Sequence, residues 1–202
     1  MKYIFIFFSV FFIYACNKTY VEDRIPIKTV ASLNKSFSMN GEKKDSFTLQ
    51  IDSSYFNIII FTKSGVVAND VDSFGIKNGD SAFVADIQSS LPLQQKRSSA
   101  NKYSLSELID GTQDYVADNR VTLFAGAKSK PFNTIYRNFT STPTDNINFN
   151  PKDNGYLAFQ AFDSLNNKIY GWLHVIVDSS AVTFDKYGYQ KFESIKAGDE
   201  NN

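Results

Sequence analysis

The sequence predicts an all-β protein, a single jelly-roll-like β-sandwich of about eight to ten strands with one short helix. Three observations point to it. Short apolar runs recur at close intervals, each bounded by Gly, Asn, Asp or Ser clusters. Phe, Tyr and Trp make up 15% of the chain, and such side chains suit a pleated, half-buried surface. No helical period is sustained beyond about three turns.

Taken in order, SFTLQID (46–52) alternates, with Phe47, Leu49 and Ile51 on one face. YFNIIIFTK (55–63) is apolar on both faces and suits a central strand. Asp52-Ser53-Ser54 joins the two as a hairpin. FGIKNGDSAFVADI (74–87) reads as two short strands around Asn78-Gly79-Asp80. In SLSELIDG (104–111), Ser104 and Glu107 form a capping-box pattern and Gly111 a stop, which predicts one to two turns of helix. Strands resume with RVTLFAGA (120–127) and FNTIYRNF (132–139). A turn-rich stretch, 141–154, leads to GYLAFQAF (155–162), KIYGWLHVIV (168–177) and AVTFDKYGYQKF (181–192). Short turns at Asp163–Asn167 and Asp178–Ser180 make these last three an antiparallel meander.

The N-terminus sets the compartment. MKYIFIFFSVFFIYAC holds one lysine and an apolar run from Tyr3 to Ala15, interrupted only by Ser9, the pattern of a signal peptide. The run is too short to span a bilayer, which takes about 20 apolar residues. Ile13-Tyr14-Ala15-Cys16 resembles a bacterial lipobox, in which the cysteine is acylated and becomes the new N-terminus. The expected layout is a lipoprotein signal peptide over 1–15, a lipidated N-terminus and tether over 16–35, a sandwich over 36–195 and a disordered tail over 196–202. The tether could reach roughly 60 Å if fully extended. Asn17 is not the aspartate that resembles an inner-membrane retention signal, and Glu22 and Asp23 follow shortly after. The expected location is therefore the outer membrane, with the cell surface favoured over the periplasmic face.

Composition excludes several classes of function. The chain holds 21 Lys and Arg against 21 Asp and Glu, and loss of residues 1–15 removes only Lys2, so the net charge becomes about −1. Such a chain has no basic field for nucleic acid. Cys16 is the only cysteine, which leaves the mature domain without a disulfide, a thiol nucleophile or a thiolate metal site. One histidine, His174, and no G-x-S-x-G elbow argue against a nucleophilic hydrolase. One histidine also rules out a two-histidine zinc helix. Paired carboxylates of a glycosidase could still be drawn from 16 Asp and 5 Glu, but most of the aspartates lie in turns, where Asp caps the backbone.

Tyr170, Trp172 and His174 share one face of the 168–177 strand with Ile176, opposite the aliphatic Leu173, Val175 and Val177. The aliphatic face belongs to the core between the sheets. The aromatic face either packs under a cover or opens as a platform that stacks on sugar rings. On both readings His174 serves as a hydrogen-bonding side chain and not as a metal ligand. Asp80-Ser81-Ala82 and Asp163-Ser164-Leu165 resemble short Bacteroidota O-glycosylation acceptors, which makes Ser81 and Ser164 candidate modification sites.

Gly155-Tyr156-Leu157, Tyr170-Gly171-Trp172-Leu173 and Val182-Thr183-Phe184 with Tyr187 and Tyr189 are similar to the closing strands of secreted and lipid-anchored Bacteroidota proteins. Upstream, Asn40-Gly41 before Asp45-Ser46-Phe47 resembles a reduced D-x-N-x-D-G-x-x-D-F loop. Glu42, Lys43 and Lys44 stand within it, which argues against a calcium site. The resemblance implies a β-sandwich at the envelope and carries no assigned activity. The expected function is a non-enzymatic outer-membrane lipoprotein that binds a glycan, a host surface or a partner protein, with no cofactor, metal or catalytic residue. The alternatives are a carbohydrate-active enzyme using an Asp/Glu pair and a periplasm-facing structural lipoprotein.

Overall fold

Alternation in the sequence becomes alternation in burial. Along residues 46–51, Phe47, Leu49 and Ile51 are buried while Thr48 and Gln50 face solvent, because successive side chains of a strand point to opposite faces. The computed structural model describes residues 27–67, 81–96, 99–127, 130–131, 149, 153–178 and 180–200. The signal peptide expected over 1–15, Cys16, the expected tether as far as residue 26, the expected Asn78-Gly79-Asp80 turn and the strand expected over 132–139 lie outside the described residues.

The long strands are β1 (Ile27–Ser38), β2 (Lys43–Ile51), β3 (Ser54–Val67), β4 (Ser81–Ser89), β10 (Arg120–Ala127), β12 (Asp153–Phe162), β13 (Lys168–Val177) and β14 (Ala181–Lys191). The short ones are β5 (Leu93–Lys96), β6 (Ser99–Ala100), β7 (Lys102–Tyr103), β8 (Leu108–Ile109), β9 (Tyr115–Val116), β11 (Lys130–Pro131) and β15 (Ile195–Lys196). The main hydrogen-bonded path runs β1-β14-β13-β12-β5-β6-β10-β4-β3-β2. It folds back on itself, so that its ends meet face to face. Tyr187 Oη donates to the Gln50 carbonyl at 3.1 Å, the Asp52 N–H donates to Tyr189 Oη at 3.2 Å, and Lys191 Nζ lies 2.6 Å from Asp52 Oδ1. Phe37 of β1, Phe47 of β2 and Phe184 of β14 close the gap with ring centroids 5.7, 6.1 and 5.3 Å apart. The protein is all-β, a two-layered sheet that is sandwich-like and, through β5, barrel-like.

The expected meander is present. β12, β13 and β14 pair antiparallel in sequence, with Phe162 opposite Lys168 and Val177 opposite Val182. β3 lies between β2 and β4, the central place its two apolar faces suggest.

The short helix is not there. Ser104 and Glu107 do form half of a capping box, with the Ser104 N–H donating to Glu107 Oε2 at 2.9 Å. Ser106 then takes a left-handed φ of 67°, which ends the turn, and Leu108–Ile109 pairs with Ile195–Lys196 as a two-stranded ladder. One or two isolated helical turns are marginal, and here only Ile109 of the apolar residues is buried, while Leu105 is 66% exposed. Tertiary burial of Ile109 and a ladder outweigh the local signal.

That ladder covers the outer face of β12 and β13. Tyr103, Ile109, Ile195 and Ala197 pack on Tyr156, Ala158, Tyr170 and Trp172 as a second apolar core, separate from the one between the layers. Residues 196–200, expected in a disordered tail, are held in place. The Ala197 N–H donates to the Glu107 carbonyl, Asp199 pairs with Lys28 at 2.7 Å, and Glu200 pairs with Lys186 at 2.5 Å.

Candidate functional site

The closing strands bring Tyr170, Trp172 and His174 into line, and the second core covers them. Trp172 has no exposed surface and Tyr170 is 8% exposed. Two glycines make room for this row. Trp172 lies across from Gly188, where a Cβ would stand 2.6 Å from the indole Cζ2. Gly171 lies across from Phe159, whose Cζ would be 2.2 Å from a Cβ. The YGW motif thus has a packing reason on each face of the strand. Tyr156 meets the indole edge-on at 5.4 Å and the His174 ring at 4.7 Å. Trp172 Nε1 finds no hydrogen-bond partner among the described residues. With its indole covered, the row does not present a stacking platform.

His174 is the polar end of the row. A β-bulge between His174 and Val175 leaves Asp185 as the extra residue of β14. The bulge turns the Asp185 carboxylate onto the ring, with Nδ1 2.6 Å from Oδ1. Lys186 and Glu200 stand alongside, and the hydrogen bond from Lys186 to Glu200 raises the Lys186 pKa above its ordinary value. Burial raises the Tyr156 hydroxyl, with Lys186 opposing.

The open part of this region is a depression at the tip of the β12–β13 hairpin, lined by Asn166, Asn167, Lys168, Tyr170 and Phe192. Asp163 builds one wall by accepting from the Leu165 N–H at 2.9 Å and the Asn167 N–H at 2.8 Å, while Asn167 Nδ2 lies 3.0 Å from Oδ2. Hydrogen bonds from the Asn167 side chain and then its backbone hold the Asp163 carboxyl below its ordinary range. Asn166 turns the corner with φ 62°. Phe192 supplies the other wall just beyond β14. Its φ is 74° and its N–H donates to the Lys168 carbonyl at 3.4 Å. A bulky residue in that region of backbone space is strained. Ser164 is exposed at the hairpin tip beside Leu165, which is 79% exposed. Ser81 opens β4.

Sequence reasoning found Tyr170 and missed Phe192, Asn166 and Lys168, which gather only once the meander's register sets Lys191 opposite Ile169. Three carboxylates of the turns, Asp110, Asp163 and Asp178, accept from backbone N–H groups. Asp110 accepts from the Thr112 hydroxyl and N–H, which lower its pKa. Burial alone would raise Asp178, but the Ser180 and Ala181 N–H groups outweigh it and hold it low. Asp86 is buried against Arg120 Nε at 2.9 Å and the Thr122 hydroxyl at 2.9 Å. Among the described residues no three His, Cys, Asp or Glu side chains gather to hold a metal ion. No family model, curated protein or solved structure matches this chain.

Proposed function

We propose that this chain is a lipoprotein of the bacterial outer membrane, anchored through Cys16, whose β-sandwich is a non-enzymatic binding module facing the cell exterior. The observation that carries the binding role is the contrast at the β12–β13 end. The aromatic row is packed away, while the hairpin tip gathers ring, amide and ammonium groups around one open depression. Three of the turn carboxylates are unsuited to proton donation. A general acid needs a raised carboxyl pKa, whereas Asp110, Asp163 and Asp178 are held low by turn hydrogen bonds.

The anchor follows from the apolar run that ends at Cys16. Several buried acyl chains, at about 0.8 kcal/mol per methylene, make attachment stable. Metabolic labelling with a palmitate analogue tests it. The wild-type chain is expected to take up label and sediment with outer membranes, and Cys16→Ala to do neither. An unlabelled wild-type chain in the soluble fraction refutes the anchor.

A further inference from the structure

The C-terminal cover of the aromatic row is thinly held. Of residues 195–200 only Ile195 and Ala197 are buried, and the ladder with Leu108–Ile109 is two residues long on each strand. The rest of the attachment is charge. Asp199 pairs with Lys28, and Glu200, its side chain 48% exposed, pairs with Lys186. Gly188 is the register partner of Val30, with Lys28 two residues before Val30 and Lys186 two residues before Gly188. The strap therefore crosses the sheet where the indole lies on Gly188. Lys186 also feels the Asp185 carboxylate beside it, so Glu200 does not hold it alone. Exposed pairs of this kind add little and weaken with salt.

Two features work against closure. Trp172 has no exposed surface, and its Nε1–H has no hydrogen-bond partner among the described residues. A buried donor without a partner bears the full cost of its lost hydration, which uncovering relieves. The other feature sits at the base of the strap. Phe192 joins it to β14 with a left-handed φ of 74°, a strained backbone for a bulky residue.

We propose that residues 192–200 form a hinged lid, a device independent of the binding-module reading. The strap swings off β13 and β14 as a unit about Phe192 and uncovers the Tyr156, Trp172 and His174 row while the sandwich stays folded. Local opening of this kind is expected where buried apolar contacts are few and the layers beneath are densely packed. The long strands under the strap carry a separate core between the layers, which opening leaves intact. The Lys186–Glu200 pair is the latch that sets how often the lid opens.

The test follows the indole N–H, which gives one signal because Trp172 is the only tryptophan. The full chain with Cys16→Ala is labelled with nitrogen-15 and exchanged into deuterated water. Relative to its own free rate, the indole is expected to be protected about tenfold less than the backbone amides of Leu173 and Val175 on the same strand. Lys186→Glu should speed its exchange about two- to fivefold, and adding Glu200→Lys should restore it. A lock supplies the second measurement. Leu108 and Lys196 are exposed register partners, so Leu108→Cys with Lys196→Cys can bridge the ladder. Oxidised, this chain should exchange its indole about tenfold more slowly than when reduced, with a smaller change at Leu173 and Val175. The two forms share any cost of the substitutions, so the comparison survives a loss of stability. Wild-type indole exchange at the pace of the strand amides, or a lock that slows indole and amides equally or not at all, overturns the lid. Failure of Glu200→Lys to reverse Lys186→Glu overturns the latch.

Discussion

Gly188 lies directly across from Trp172, and the indole occupies the space a Cβ would take, with Cζ2 2.6 Å from that position. A bare backbone on β14 is therefore what lets the only tryptophan lie flat on the sheet under its cover. Gly188→Ala is expected to destabilise the fold by about 1–3 kcal/mol, as overpacking does. Gly171→Ala should cost at least as much, because its Cβ also meets the Gly188 carbonyl at 2.6 Å. Urea titration followed by Trp172 fluorescence checks both, and unchanged midpoints would contradict the packing.

The cover itself can be loosened. Ile195 is buried in the second core and pairs with Ile109, so Ile195→Ala should cost about 2–5 kcal/mol. Its further signature is local. Trp172 emission should shift to the red, and acrylamide should quench it, before the main core unfolds. A variant that loses stability with no change in quenching would show that residues 195–200 do not shield the indole.

Asp185 gives His174 its hydrogen bond across the bulge. Asp185→Ala leaves a partly buried ring nitrogen without that partner and is expected to cost about 1–3 kcal/mol. Asp185→Asn, which can still bond, should lose less. Urea midpoints at constant slope measure both, and equal losses would mean that the charge carries the effect.

Stability should fall in alkali for an identifiable reason. Burial first, then nearby Tyr103 and Tyr170, push the Tyr115 hydroxyl above its ordinary value of 10.0. Burial does the same to Tyr103, Tyr156 and Tyr187. A folded-state pKa raised above the unfolded one means the folded state holds the proton longer. The contribution is whole below about pH 10 and is lost as pH climbs from there toward the folded value. Tyr115 Oη also donates to the Asp110 carbonyl at 2.8 Å, so Tyr115→Phe should lose about 1 kcal/mol near neutrality and flatten the alkaline limb. At the acid end the sign reverses. Asp110, Asp163 and Asp178 have lowered pKa values, so their contribution is present above about pH 4 and disappears as pH falls through the folded values. Denaturant midpoints across pH, with tyrosinate absorbance, test both limbs.

What was legible in the sequence was what short-range physics decides. The turns at Asp52, Asp163 and Asp178 are stated by residue type, and alternation places Phe47, Leu49 and Ile51 inward. The segment 104–111 misled because a capping box is a local signal. Its outcome depended on Ile195, which is distant in sequence and draws Ile109 into a ladder. For the same reason the fate of the Tyr170, Trp172 and His174 row could be framed as covered or open but not decided. Its cover comes from residues 103–115 and 195–197, which carry no periodic mark of their own. Tyr170 at the candidate site was visible as an aromatic on a strand. Phe192 and Lys168 were not, because they become neighbours only through the register of β13 with β14.

The most direct test of the central claim is protease digestion of intact cells expressing the wild-type chain, beside Cys16→Ala. The account predicts that the anchored domain is cleaved without lysis and that the Cys16→Ala chain no longer fractionates with the outer membrane. Protection of the wild-type domain until the outer membrane is broken would contradict it.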